Sequence, residues 1–440
     1  MFKRGIDNLK KYGSANPLSK NILLYSFGSL GSRAINFAIY PILTFYLLKE
    51  DLGFYDVVVN TIFLVIPLAT LQYADGIYRV ILPLDDEVRK KGIIAGGFNF
   101  ITMSSLVILA ILVAAISWIF PLRFGGLIFL MAFFFGINQS TKQIVRGLKK
   151  NVQYVAGDIL YSLVFILILA LTLIVLKLGL KGVFIAFIVA NLLSFTYLIF
   201  SSGMRRYLDF KQMPQVVELK PILNYSTPLI PNTLSWWLVG SANTYIIIAI
   251  LGLEFNGIYA VAYKISSVIY LLNRVFNLAW QDQLIASDQE ESLYNSKIFN
   301  RLTLTLLTLA IVLTIVMKPL LHLVVEETYF IVWKYVPFLI LAAVLSSISA
   351  YFGAFYLKWQ TTRKIFISTL IGAFIAIICS IVLTKNFGLI GTSTSMAIGF
   401  GTVFLYRYLD TKARLKLHLS IYIPFLLLLF VFAIILSYYI

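Results

Sequence analysis

Three cations stand where a chain this apolar should carry none. Arg33, Lys264 and Arg274 lie inside long hydrophobic runs. At the rise of an α-helix, Arg33 is about 18 Å past the start of its run, Lys264 about 14 Å from the outer end of a second run, and Arg274 about 14 Å from that run's inner end. All three fall near the middle of a hydrocarbon core roughly 30 Å thick. A cation at that depth costs about 2.5–3.5 kcal/mol on insertion scales. Three readings are open: a water-filled cavity, a structural ion pair or carbonyl contact, or run boundaries that differ from those assigned here. Deep acids are scarce. Asp75 lies four residues before Arg79, and pairing between them on one helix face is the plain expectation. Asp56 and Asp158 are read as interfacial, at the ends of their runs. The balance of deep charge is therefore positive, and it favours an anionic passenger.

Uncharged polar residues accompany these cations. Asn273, Asn277 and Gln281 repeat at i, i+4 and i+8, one stripe of a helix. Asn138, Gln139, Lys142 and Gln143 cluster in the fourth run. Such amides can bind hydroxyl groups in a cavity or join helices by hydrogen bonds, and the sequence leaves both open. Other chemistries find no residues. The one cysteine, Cys379, excludes a disulfide within the chain, and His322 and His418 are far apart, so no metal site and no cofactor are expected. The longest outer connection offers only His322, Glu326 and Glu327, without a nucleophile–base arrangement, so an enzyme is not expected. A coupling ion, H+ or Na+, stays open.

These residues must be carried by membrane-spanning helices. Of the 440 residues, 60% are hydrophobic and only 12% charged, and the mean hydropathy is +0.90. Runs of about 20 apolar residues predict spans at 21–48, 54–81, 93–120, 126–148, 153–177 and 181–202, then at 222–251, 255–283, 296–318, 333–357, 363–384 and 388–408, with a thirteenth segment at 419–440. The first run is too long for the core of a cleavable signal peptide. With the N-terminus in the cytoplasm, 26 Lys and Arg fall on the inner side against 7 on the outer, a bias that fixes the orientation. The formal net charge of +17 is thus a topology signal, and nucleic acid is excluded as a partner.

The chain also repeats itself. Pro17, Gly53 and Tyr55 recur as Pro221, Gly257 and Tyr259, each 204 residues later. Gly179-Leu180-Lys181-Gly182 recurs as Gly388-Leu389-Ile390-Gly391, and Tyr197 as Tyr406, at an offset of 209. Six spans per copy insert both copies the same way up, related by an axis along the membrane normal, as in transporters. The expected fold is an all-α polytopic membrane protein of two six-helix lobes around a central cavity. The expected divisions are an N-lobe at 1–204, a cytoplasmic linker at 205–220, a C-lobe at 221–410 and an extra apolar segment at 411–440.

The stretch 21–55 (NILLYSFGSLGSRAINFAIYPILTFYLLKEDLGFY), its counterpart 221–259, and the LGLKG and FGLIG openings resemble the Wzx-type polysaccharide flippases of the MOP exporter superfamily, over roughly residues 18–410. The resemblance implies alternating access and export of a polyprenyl-pyrophosphate-linked oligosaccharide across a bacterial cytoplasmic membrane, for a surface polysaccharide such as O-antigen or capsule. Arg33, Lys264 and Arg274 would then hold the pyrophosphate, with Asn273, Asn277, Gln281, Gln139, Lys142 and Asp75 as further cavity residues. Implied partners are the lipid-linked substrate, membrane lipids, a polysaccharide polymerase and chain-length machinery. The thirteenth segment departs from the twelve-span core and would leave the C-terminus outside. Two relatives compete. Peptidoglycan-precursor flippases usually carry fourteen spans and more deep arginines. Drug or metabolite antiporters need a buried carboxylate, which spans one and seven lack.

Overall fold

The computed structural model describes residues 39–119, 123–209, 211–212, 216–286, 292–359 and 361–439, and every regular element among them is helical. After a helical stretch at 39–46 come α1 (Lys49–Ala69), α2 (Tyr73–Ile81), α3 (Glu87–Ile119), α4 (Gly125–Gly147), α5 (Asn151–Ala170), α6 (Leu180–Ser201), α7 (Val216–Ser226), α8 (Leu229–Ile250), α9 (Leu253–Ala286), α10 (Ser292–Val324), α11 (Val336–Lys358), α12 (Thr362–Leu415) and α13 (Tyr422–Tyr439). Eight helices among the described residues are long and apolar enough to cross a membrane. This is a multi-pass all-α membrane protein. Most of the first expected span, Arg33 included, lies outside the described residues.

Two expected spans are broken. The run 54–81 divides into α1 and α2 at Leu71 and Gln72, both in the left-handed region (φ 51° and 47°). Pro67, inside α1, removes a backbone donor one turn earlier. The run 222–251 divides into α7 and α8 around Pro228. Apolarity continues through both breaks, so hydropathy alone does not mark them. Conversely, α12 holds two expected spans in sequence and bends at Gly388 (φ 58°, ψ −140°). Its repeat counterpart Gly179 opens α6 with nearly the same backbone (φ 55°, ψ −138°). That conformation is a glycine's, which explains why this element of the repeat is readable in sequence.

The chain packs as two compact units, one holding 58–237 and the other 40–57 with 238–439. The first has a core of Tyr73, Ile77, Ile81, Ile94, Phe98, Ile144 and Leu198. Its helices α4, α5 and α6 are tied by amides and a hydroxyl. Asn138 Nδ2 donates to Asn191 Oδ1 at 3.0 Å, and Ser194 Oγ donates to Gly157 O at 3.0 Å. The described part of the linker is docked on α3, where Asn99 Nδ2 donates to Asp209 O and Gln212 O, both at 2.7 Å.

In the second unit the start of α1 lies on the start of α9, backbone against backbone. A Cβ on Gly53 would stand 1.9 Å from Leu253 O, and a Cβ on Gly257 would stand 2.0 Å from Lys49 O. Only glycine permits that approach, and the two are the pair found 204 residues apart in sequence. Asn256 Nδ2 donates to Gly53 O at 3.0 Å and Lys49 Nζ meets Glu254 Oε1 at 3.3 Å, completing the junction. The helix α13 packs on α10: the turn before it is held there, where His418 N donates to Ser296 Oγ (2.9 Å) and Ser420 N to Asn300 Oδ1 (3.0 Å), and its far end is held by Tyr438 Oη, which donates to Lys334 O (2.6 Å) in the turn before α11.

Candidate functional site

The helix α9 carries two of the three expected cations. Lys264 Nζ stands 5.1 Å from the centre of the Tyr40 ring. Around it Tyr259, Tyr263 and Tyr270 form a ladder of rings at 6.3 and 6.4 Å. Asp56, expected at an interface, belongs to the same region. Its Oδ2 accepts from Thr244 Oγ1 and Asn256 Nδ2, each at 3.2 Å. Arg274 is exposed, and no carboxylate pairs with it among the described residues. Ten residues separate it from Lys264, about 15 Å along the axis and roughly 80° around it. The two cations therefore form a line along α9 rather than a single pincer. Asn273 is buried, while Asn277 and Gln281 are half-buried.

The polar group of the fourth run separates into distinct roles. Asn138 joins helices, as described, and Gln139 is exposed. Lys142, placed in the fourth run but also tallied among the 26 inner-side loop cations, lies within α4 and is buried, with Nζ 2.5 Å from Asp158 Oδ1 of α5 and 5.6 Å from the Tyr161 ring. Asp75 does not reach Arg79. It accepts from Gln143 Nε2 at 3.0 Å, and Gln143 Oε1 accepts from Arg146 at 2.9 Å. Arg146 lies over the rings of Tyr78 and Tyr154, and Arg79 over Tyr225.

Sequence reasoning passed over Arg407, also counted as a loop cation. It is 6% exposed, held wholly by neutral oxygens. Its Nε donates to Ser368 Oγ, Nη1 to Ser349 O and Nη2 to Thr369 Oγ1, each at 3.0 Å. Thr369 also borders an apolar recess lined by Leu238, Ala242, Ala376, Gly399 and Phe400. Removing Lys142 and Arg407 from the loop count leaves the charge asymmetry standing. For Asp158 a signal existed: it and Lys142 lie at similar distances from the tight turn at 148–150, so an antiparallel hairpin sets them side by side.

Among the described residues no group of His, Cys, Asp and Glu could hold a metal ion. The family model described as polysaccharide biosynthesis protein matches residues 18–280. The chain belongs to the polysaccharide biosynthesis protein family. No curated protein sequence matches this family member. Solved structures do, at the level of fold. An inward-facing MATE-family multidrug resistance transporter of the MOP superfamily is 16% identical, covers 88% of this chain and 94% of its own, and superposes with a TM-score of 0.68. A MOP superfamily transporter from Pyrococcus furiosus is 15% identical over 90% of this chain and 96% of its own, with a TM-score of 0.60. The lipid II flippase MurJ, inward closed, is 14% identical over 94% of this chain and 98% of its own, with a TM-score of 0.58. The polysaccharide biosynthesis family member thus shares its fold with solved transporters of the MOP superfamily and with a lipid II flippase.

Proposed function

We propose that this protein flips a polyprenyl-pyrophosphate-linked oligosaccharide repeat unit across the bacterial cytoplasmic membrane, for surface polysaccharide synthesis. The observation that carries the reading is Arg274. It is an exposed guanidinium within a 34-residue apolar helix, unpaired with any carboxylate among the described residues. Water or an anion must offset such a charge, and pyrophosphate is the constant part of the cargo whatever the sugar. Lys264, about three turns away on the same helix, extends the positive line, and Arg33 adds a third cation from the first span. The 26-to-7 charge bias supports a cytoplasmic N-terminus and a cytoplasmic linker at 205–220. The repeats at 1–204 and 221–410 would alternate access, the sugar moving through water and the polyprenyl tail through lipid. A surface-polysaccharide polymerase and chain-length machinery would consume the product. A second reading, a peptidoglycan-precursor flippase, is supported by the likeness to the lipid II flippase fold.

The test replaces Arg33, Lys264 and Arg274 by Ala, singly and together, and measures surface polysaccharide at equal membrane expression. Loss of export is expected from each. Arg274→Lys should keep part of the activity, because the charge survives where the bidentate geometry does not. Normal export by the triple variant overturns the assignment. Impermeant labelling of a cysteine placed at position 212 should fail from outside the cell, and strong labelling there overturns the topology.

A further inference from the structure

We propose that one face of α9 is a sugar-contacting surface, on which the oligosaccharide of the cargo stacks over Tyr270 and Tyr263 while its pyrophosphate is held at Arg274. The proposal rests on the flippase reading and adds to it a place and a direction for the sugar. At the pitch of an α-helix, Tyr259, Tyr263, Ser267, Tyr270, Arg274 and Asn277 all fall within about 40° of one line along α9. No aliphatic residue falls in that strip between Tyr259 and Asn277. On the opposite side Val261, Ile265 and Ile269 are buried in the unit. The aliphatic side is thus the packing face, and the strip calls for another explanation.

Contact with lipid does not supply one. Tyrosine is favoured where its ring meets the membrane surface and its hydroxyl meets water. Tyr270 stands midway along a 34-residue helix, where a lipid-facing position would be aliphatic. Tyr263, Ser267 and Tyr270 are half-buried and Arg274 is exposed, so part of the strip is open to a ligand. The ring centres of Tyr259, Tyr263 and Tyr270 follow one another at 6.3 and 6.4 Å, tilted by 22° and 38°. They make one continuous aromatic surface. Its two ends are fixed. Asn243 Nδ2 donates to Tyr259 Oη at 3.2 Å, and the Tyr270 ring centre is 6.3 Å from that of Phe400. Asn243 and Phe400 both line the apolar recess between α8 and the two arms of α12, so the ladder of rings borders a concavity within the unit.

A sugar ring has a face of C–H bonds that packs on an aromatic face, and a rim of hydroxyls. A phosphate does not pack there, because the face of an aromatic ring is negative. A guanidinium takes it instead, through paired N–H bonds. The strip is therefore divided by chemistry, with rings for sugar and Arg274 for the anion. The spacing sets a direction. Arg274 is four residues beyond Tyr270, about 6 Å along the axis, and eleven beyond Tyr263, about 16 Å. The sugar next to the pyrophosphate lies over Tyr270 and the following one over Tyr263. On the orientation proposed above, the lipid-linked end lies toward the cytoplasm and the sugars point outward. Lys264 is off the strip, about 100° round the helix from Tyr263, with its Nζ over the Tyr40 ring.

The test titrates two probes into the purified full-length protein by calorimetry: farnesyl pyrophosphate, and farnesyl pyrophosphate carrying chitobiose on its outer phosphate. The wild type should bind the sugar-bearing probe about tenfold more tightly, the worth of two ring contacts. Tyr263→Leu with Tyr270→Leu should bring the ratio of the two affinities close to unity. Tyr263→Phe with Tyr270→Phe should keep most of it, because the rings remain. Arg274→Ala should weaken both probes and keep the ratio. A ratio unchanged in the leucine pair, or lost equally in the phenylalanine pair, overturns the stacking surface. So does a wild type that binds both probes equally, an outcome that leaves the flippase reading standing. A wild type that binds neither probe overturns both. Should the leucine pair fail to fold, Tyr270→Leu alone decides: the ratio should fall, and an unchanged ratio overturns the proposal.

Discussion

Lys142 and Asp158 are a charge pair set in the membrane part of a helical hairpin, and their exposures are unequal, 7% and 27% for the two side chains. Removing one partner strands the other. Such a loss costs about 3–5 kcal/mol when both charges are fully buried, and the solvent left to Asp158 puts the expected cost near the lower end. Lys142→Ala and Asp158→Ala should each lower the thermal unfolding temperature of the purified protein, Lys142→Ala by less. The double change Lys142→Ala with Asp158→Ala should lose less than the two single losses added together, and additive losses in this cycle would show that the pair is not coupled. Arg407 poses a different case, since its three partners are neutral. Arg407→Ala leaves Ser349 O and two hydroxyls without their donor, a loss of about 1–3 kcal/mol that the same unfolding measurement reads. The sequence shows why one was nearer to hand than the other. Asp158 is an acid at hairpin distance from a lysine. The partners of Arg407 are a serine hydroxyl and a threonine hydroxyl on the first arm of α12 and a carbonyl on α11, and no charge pattern announces them.

At the scale of elements, the glycines carry the most information. Gly179 and Gly388 share a backbone conformation that other residues rarely adopt, and Gly53 and Gly257 each face a carbonyl where a side chain would stand. Both pairs were legible as repeats because a backbone requirement leaves a mark on residue type. The breaks between α1 and α2 and between α7 and α8 leave a weaker mark, since apolar residues continue through them and only Pro67 and Pro228 interrupt the pattern. Gly53→Ala and Gly257→Ala should each destabilise the second unit, because the added methyl group meets backbone that has no rotamer to yield. Since both disturb one junction, the double variant should lose less than the two single losses added together. Full additivity in thermal unfolding would show that the two glycines act at separate places.

For the whole molecule, the all-helical membrane class was legible in hydropathy and the family in the resemblance of 21–55 and its counterpart, while the packing units were legible in neither. The division into units falls within α1 and within α8, at 57/58 and 237/238, where the amino-acid composition does not change. Contacts between distant segments decide it, and a linear pattern does not record them. The end of the chain illustrates the same point. Residues 419–440 follow a repeat that is already complete, which makes them dispensable to the core by sequence. The structure adds the bonds from 416–420 to Ser292, Ser296 and Asn300. Truncation after Lys416 should therefore leave an inserted, folded protein with a lower unfolding temperature, as Ser296 and Asn300 lose their partners. Absence of the truncated protein from the membrane would show that α13 is part of the core.

The junction at Gly53 and Gly257 also records an order of events. Lys49 O faces Gly257 and Leu253 O faces Gly53, and 253 follows 49 by the same 204 positions that separate the glycines. It is one contact made twice, as at the centre of a two-fold dimer interface. A half-length ancestor that associated with itself in this way would have set its single glycine against its own copy. The glycine was then needed before the gene doubled, and fusion inherited both halves of the contact already matched.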